Sequence, residues 1–128
     1  MKSIKFKKKI LVMDDEELIR ETLGCVLREE GYDVVTAGDG VEGLEFAYQE
    51  EIDLVILDVT MPEMDGYQVC RLLKSDNDYN HIPIIMLTSK DKKFQRFWGL
   101  KAGADRYVIK PFEPEELLKM ISQVLNKE

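Results

Sequence analysis

The stretch from residue 53 to residue 66 reads D-L-V-I-L-D-V-T-M-P-E-M-D-G and decides how the whole chain is interpreted. Residues 54–57 form an apolar run of strand length with no polar side chain on either face, which is typical of a strand buried on both sides of a parallel sheet. Asp58 then ends this run with a carboxylate. An isolated buried charge is strongly unfavourable, so the rest of the chain must either compensate Asp58 or use it.

Segments of strand and helix character alternate along the rest of the chain. Apolar runs rich in Val and Ile predict strands at residues 9–13, 32–37, 54–57, 84–87 and 107–109. Three-four spacing predicts a first helix through residues 18–27, which Gly31 would end, and further helices at about 40–50, 65–75, 91–102 and 114–126. We therefore expect an α/β fold: a doubly wound (βα)5 arrangement in which helices cover both faces of a five-stranded parallel sheet.

Length and composition predict one globular domain. A chain of 128 residues, 45% hydrophobic and 34% charged, is long enough to bury a single core and too apolar to be disordered. We predict that it occupies residues 9–127 and that residues 1–8 form a basic, solvated tail. The first nine residues carry +5 and the remainder carries −12 of the net charge of −7. So acidic a body is a poor candidate for direct binding of nucleic acid.

Three further expectations concern the environment of the protein. No apolar run is long enough to span a membrane, so no membrane partner is predicted. The basic start leads directly into a short strand rather than a secretory signal, which favours a cytoplasmic location. Cys25 and Cys70 both occur among apolar residues at helical spacing, and we expect two buried, reduced thiols rather than a disulfide.

Polar residues follow four of the five predicted strands. They are Asp14 and Asp15 after the first strand, Asp58 at the end of the third, Thr88 and Ser89 after the fourth, and Lys110 after the fifth. The carboxyl ends of parallel strands meet at one edge, where ligands bind in such folds. Two of these carboxylates would repel by ~4 kcal/mol at about 4 Å and an effective dielectric near 20. Lys110 supplies one counter-charge, and an oxygen-rich site suits Mg²⁺ as the other.

Each of these residues also has an ordinary structural explanation. Asp15 could only cap the first helix, Thr88 could be a β-branched strand residue, and Lys110 could extend to solvent. Asp58 could be a protonated carboxyl in the core, although it would still need a hydrogen-bond partner. Their convergence on one edge favours chemistry instead. An aspartate beside a cation and an ammonium is a competent nucleophile for phosphoryl transfer, which requires mainly positioning and charge neutralisation.

Four segments together resemble the receiver domain of two-component response regulators over about residues 8–126. They are I-L-V-M-D-D-E-E (10–17), L-V-I-L-D-V-T-M-P-E-M-D-G (54–66), P-I-I-M-L-T-S-K (83–90) and G-A-D-R-Y-V-I-K-P-F (103–112). The resemblance implies that Asp58 accepts a phosphoryl group from a histidine kinase or phosphotransfer protein. It also implies a flavodoxin-like fold with the strand order 2-1-3-4-5. It further implies a cis peptide bond between Lys110 and Pro111, which proline makes accessible.

The same resemblance implies roles for the other site residues. Asp14 and Asp15 would hold Mg²⁺ together with Asp58 and the main-chain carbonyl of Thr60, and Lys110 would pair with the phosphoryl group.

It also implies a switch. Thr88 would move toward the phosphoryl group, Tyr107 would rotate inward behind it, and the surface of the predicted helices 91–102 and 114–126 and the fifth strand would change for a protein partner. Thr60 and Lys90 would tune the phosphoryl lifetime. The aromatic residues of helix 91–102, Phe94, Phe97 and Trp98, are expected to lie mostly in the core.

Three alternatives use the same architecture. A flavodoxin-like FMN carrier would need a hydroxyl- and Gly-rich first loop, whereas residues 14–17 read D-D-E-E and would repel its phosphate. A haloacid-dehalogenase-like phosphatase would need a second Asp where Thr60 stands, so we expect slow loss of phosphate rather than enzymatic turnover. A receiver that no longer accepts phosphate would lack a site residue, and none is missing. The chain is expected either to act alone through protein contacts, as in chemotaxis systems, or to be part of a longer protein; its kinase and its output remain open.

Overall fold

The computed structural model describes residues 7–89 and 101–126, which contain five strands and four helices. The strands are β1 (Lys9–Met13), β2 (Asp33–Ala37), β3 (Leu54–Asp58), β4 (Ile84–Ser89) and β5 (Arg106–Lys110). The helices are α1 (Glu17–Glu29), α2 (Gly40–Gln49), α3 (Gly66–Ser75) and α4 (Pro114–Leu125). Their ends lie within two residues of the predicted ones. The predicted helix 91–102, with its aromatic residues, lies almost wholly outside the described residues.

All strand pairs are parallel, and the sheet has the predicted order β2-β1-β3-β4-β5. From β1 the chain passes to one side to form β2 and then crosses to the other side for β3, so the strand order reverses between β1 and β3. Met13 at the end of β1 is in register with Leu57, and Asp58 is in register with Leu87 of β4. The carboxyl ends of the three central strands therefore lie side by side.

The sheet is covered on both faces, as the continuous apolar runs predict. One core cluster joins β1, β3 and β4 to α2 and α3, and the other joins the opposite face to α1 and α4. Every residue of β3 is buried, Asp58 included. Because β3 is packed on both faces, it cannot rotate to move the Asp58 carboxylate away from the carboxyl edge of the sheet.

Helix ends fix loops at both edges of the sheet. Gly31 has φ of +96° and follows α1, where its N–H donates to the carbonyl of Arg28 while the N–H of Tyr32 donates to that of Leu27. This is the Schellman pattern that glycine permits, and it confirms the predicted end of the first helix. Asp65 caps α3 with a capping box that includes Gln68.

The two cysteines differ, and the prediction for one of them was wrong. Cys70 is fully buried and donates to the carbonyl of Ala102, whereas Cys25 is exposed. Cys25 lies two residues from both Leu23 and Leu27, the buried leucines of α1, so at 100° per residue it points to the opposite side. Leu18 is similarly exposed although it belongs to the apolar pattern. Within the described residues no helix is both long and apolar enough to cross a membrane.

Candidate functional site

Lys110 lies between two buried carboxylates at the carboxyl edge of the sheet. Its Nζ is 3.0 Å from Oδ2 of Asp14 and 3.4 Å from Oδ1 of Asp58. Neither aspartate has more than a few per cent of its surface exposed. Residues separated by 96 positions in the chain thus meet because the ends of β1, β3 and β5 converge. The structure brings Asp14, Asp58 and Lys110 together as the sequence predicts.

Two hydrogen bonds, one to β2 and one within the loop, hold the loop after β1 in place. The N–H of Asp14 donates to the carbonyl of Ala37, and Oδ1 of Asp14 accepts from the N–H of Glu16. Asp15 is exposed, and the N-cap of α1 is Glu16 without a side-chain cap. The alternative in which Asp15 caps the first helix is therefore wrong. The exposed carboxylate of Asp15 can therefore contribute to a site at this edge of the sheet.

Three carboxylates of this loop form a group that could hold a cation. Asp14, Asp15 and Glu16 each offer one oxygen, and these oxygens lie within 4.8 Å of one another. Oxygen-only donors of this kind match the preference of Mg²⁺. The sequence analysis did not include Glu16 among the metal-binding residues, although it follows the two aspartates directly. Asp58 is not a member of this group among the described residues, and it is linked to it through Lys110, whose Nζ is 3.4 Å from Oδ1 of Asp58 and 3.8 Å from Oε1 of Glu16.

Burial and the charge of Asp14 outweigh the Lys110 ammonium in setting the pKa of Asp58. Burial, together with the nearby charge of Asp14, raises the pKa of Asp58 from 3.8 to about 7, although Lys110 and the N–H of Thr60 both lower it. Burial alone would lower the pKa of Lys110, but its hydrogen bond to Asp14 and the charge of Asp58 raise it overall. One ammonium therefore does not neutralise the carboxylates around it, and a further cation fits the excess charge.

The remaining predicted site residues surround this cluster. Thr88 is buried in β4, one position beyond the residue that pairs with Asp58. Thr60 is exposed two residues after Asp58, and its N–H bonds to the Asp58 carboxylate. Tyr107 is half-buried against the core cluster of α2 and α3. Lys90 lies outside the described residues.

The loop from β3 to α3 approaches Asp58 closely. A Cβ placed on Gly66 would overlap the carbonyl oxygen of Asp58 and lie 2.9 Å from Cα of Val59, so only glycine fits there. Glu63 in the same loop has φ of +66°, which is uncommon for a residue with a side chain. The peptide bond between Lys110 and Pro111 is cis, as expected.

Three comparisons place this arrangement among known proteins. The sequence matches the response regulator receiver domain over residues 10–122. It is 49% identical over 121 residues to a probable transcriptional regulator ycf27 of Guillardia theta, covering 94% of this chain and 46% of that protein. The chain thus spans about half the length of the curated relatives it matches.

Solved structures give the same result. Chemotaxis response regulator CheY4 of Vibrio cholerae superimposes with a TM-score of 0.87 at 37% identity, covering 93% of this chain and 99% of that one. The receiver domain of sensor histidine kinase PA1611 from Pseudomonas aeruginosa PAO1 has a TM-score of 0.88 at 27% identity, covering 94% and 99%. That structure is described with a magnesium ion coordinated in its active site cleft.

Proposed function

Because the chain belongs to the response regulator receiver domain family and therefore acts in two-component signalling, we propose that Asp58 is its phosphoacceptor. The phosphodonor would be the phosphohistidine of a histidine kinase or phosphotransfer protein. The observation that carries this proposal is the Lys110 ammonium between the buried carboxylates of Asp14 and Asp58. A buried aspartate with a cation beside it is suited to attack phosphorus rather than to stabilise the fold.

In the proposed step, one carboxylate oxygen of Asp58 forms a bond to phosphorus as the bond from phosphorus to the histidine nitrogen breaks. The electron pair of the broken bond stays on the imidazole, and Asp58 becomes an acyl phosphate. Lys110 Nζ, already 3.4 Å from Asp58, would pair with an oxygen of the transferred group. The hydroxyl of Thr88 would donate to another. Such transfer depends mainly on positioning and electrostatic stabilisation.

Asp14, Asp15 and Asp58, with the main-chain carbonyl of Thr60, are the proposed holders of Mg²⁺. The grouped oxygens of Asp14, Asp15 and Glu16 and the raised pKa of Asp58 support this fit, and we add Glu16 as a residue that orients the loop or holds a water ligand. When bound, the ion would neutralise the charge shared by the carboxylates and the phosphoryl oxygens.

The proposed output is a change of surface. Phosphorylation would draw Thr88 toward Asp58 and allow Tyr107, now half-buried, to move further into the space behind it. The surface formed by residues 91–102, β5 and α4 would then bind a downstream protein or a further domain. Exposed Thr60 and, by sequence position, Lys90 would control how readily water removes the phosphoryl group.

The whole-protein role is proposed at the level of class. We place the protein in the cytoplasm, without direct contact with nucleic acid or membrane through this domain. The relative from Guillardia theta is named as a probable transcriptional regulator, so transcription is a candidate output. We expect only slow self-phosphorylation from small donors and slow self-dephosphorylation. The comparisons give no support to the phosphatase or flavin-carrier alternatives.

Mass spectrometry after incubation with acetyl phosphate and Mg²⁺ tests the proposal. We expect one added phosphoryl group, mapped to Asp58, that EDTA prevents and that Asp58→Asn abolishes. Asp78→Asn, which changes an exposed aspartate in the loop before β4, is the control and should be modified like the wild type. Phosphate on Asp58→Asn would place the acceptor elsewhere. Sustained phosphate release over many turnovers would instead indicate a phosphatase.

A further inference from the structure

Arg20 of α1 is bonded to the main chain of the acidic loop. Its Nη1 donates to the carbonyl oxygen of Asp14 at 2.7 Å, and its side chain is half-buried. The N–H of Asp14 is held at the same time by the carbonyl of Ala37 at 3.1 Å. Both main-chain polar groups of Asp14 are therefore fixed, one by the end of β2 and the other by Arg20.

The bond from Arg20 sets the direction of the next peptide unit. The carbonyl of Asp14 and the N–H of Asp15 belong to one rigid plane, so holding the first orients the second. The orientation of this plane in turn determines where the side-chain oxygens of Asp15 and Glu16 lie. Arg20 donates to a carbonyl and forms no ion pair with the carboxylates of Asp14, Asp15 and Glu16 among the described contacts, so it does not compete with a cation for their oxygens.

Gly38 provides the space that the guanidinium occupies. A Cβ built on Gly38 would lie 3.2 Å from Nη1 of Arg20, which is tighter than ordinary packing, and 3.5 Å from its Cζ, which is an ordinary contact. Unlike Gly31, Gly38 does not have a positive φ that would demand glycine. A side chain at Gly38 would therefore require the guanidinium to shift by a few tenths of an ångström.

We propose that Arg20, seated against Gly38, is a positioning residue for the proposed Mg²⁺ site, acting through the main chain of the loop that carries Asp14, Asp15 and Glu16. This inference rests on the proposed function, because it assumes that Mg²⁺ binds there. The direction of the change in Mg²⁺ affinity distinguishes a positioning role of Arg20 from a purely electrostatic one. Removing a nearby positive charge should strengthen binding of a divalent cation, whereas releasing the loop should weaken it.

A Mg²⁺ titration followed by amide chemical shifts tests the inference, with far-UV circular dichroism as the check on folding. For Arg20→Ala we expect the dissociation constant to rise about tenfold, the lower end of the effect of removing an outer-shell partner. Arg20→Lys, which keeps the charge and one donor, should lie between Arg20→Ala and the wild type. Arg28→Ala is the matched control, because Arg28 lies on the same helix and its Nη2 contacts the carbonyl of Val34, away from the site.

Gly38→Ala, studied alone and combined with Arg20→Ala, extends the test to a double-mutant cycle. Alone it should weaken Mg²⁺ binding by displacing the guanidinium, and in the Arg20→Ala background it should add nothing. Unchanged or tighter binding by Arg20→Ala, or an equal loss in Arg28→Ala, would overturn the inference. A wild-type protein without Mg²⁺ affinity would instead refute the cation site itself and, with it, the proposed function.

Discussion

Replacing Asp58 by asparagine should stabilise the protein when Mg²⁺ is absent. Burial and the charge of Asp14 raise the pKa of Asp58 from 3.8 to about 7, so the ionised group is less favourable in the fold than in the unfolded chain. Each pKa unit corresponds to about 1.4 kcal/mol, which gives a penalty of about 4 kcal/mol once Asp58 is fully ionised. Asparagine keeps the shape without the charge and should recover most of this free energy of unfolding.

The direction of the pKa shift of Asp58 determines how the stability gained by Asp58→Asn depends on pH. The native state binds the proton of Asp58 more tightly than the unfolded state does, so this group lowers the stability of the wild type as the pH rises from 3.8 to about 7. The advantage of Asp58→Asn should therefore be small near pH 4, grow through this range, and become constant above pH 7. Acidification stabilises through Asp58, which is opposite to the behaviour of an aspartate in a favourable salt bridge.

Urea unfolding in EDTA, followed by circular dichroism at several pH values, measures this difference. Asp78→Asn is the matched control, since it removes an exposed carboxylate and should show no comparable trend. Saturating Mg²⁺ should reduce the advantage of Asp58→Asn, because the wild type then gains a counter-charge. An asparagine variant no more stable than the wild type at pH 8 would refute the electrostatic argument. A gain of constant size at all pH values would assign it to packing instead.

Three other variants or reactions check the same structure. Lys110→Ala should raise the pKa of Asp58 further, visible as a shift of its pH-dependent stability to higher pH, and should weaken the difference in partner affinity with and without the phosphate mimic beryllofluoride. Gly66→Ala should lower the free energy of unfolding by ~3 kcal/mol in urea titrations, because the new methyl group overlaps the main chain of Asp58. A thiol reagent should label Cys25 quickly in the native protein and Cys70 only after unfolding, since burial raises the pKa of Cys70 to about 11.

The parts of the fold that follow from periodicity were predictable. The run before Asp58 has no polar face, and a strand of that kind needs helices on both sides, so the layered parallel sheet follows from a few residues. The ends of parallel strands then bring Asp14, Asp58 and Lys110 together whatever the loops do. Their distances of 3.0 and 3.4 Å to Lys110 agree with that expectation.

The parts that depend on loop conformation were not predictable. Asp15 and Glu16 are both acids before a helix, and only the path of the main chain decides that Glu16 is the N-cap while Asp15 is exposed. The contact of Arg20 with a carbonyl leaves no trace in composition or spacing. Cys25 shows a related limit, since a helix of mixed residues is apolar at more positions than it can bury.

Asp58 ends a buried strand, and the carboxylates around it outnumber the ammonium that they share. Asp58 shares one ammonium with Asp14 and Glu16, and that ammonium is closer to Asp14 than to Asp58. A site built only for stability would hold an apolar residue at the end of β3, because a buried charge that is not fully paired lowers stability. In the proposed function, a further cation would supply the missing positive charge, and Lys110 would then pair with a phosphoryl group on Asp58. The same shortage of positive charge that should make the metal-free protein less stable would thus favour phosphorylation of Asp58 in the presence of Mg²⁺.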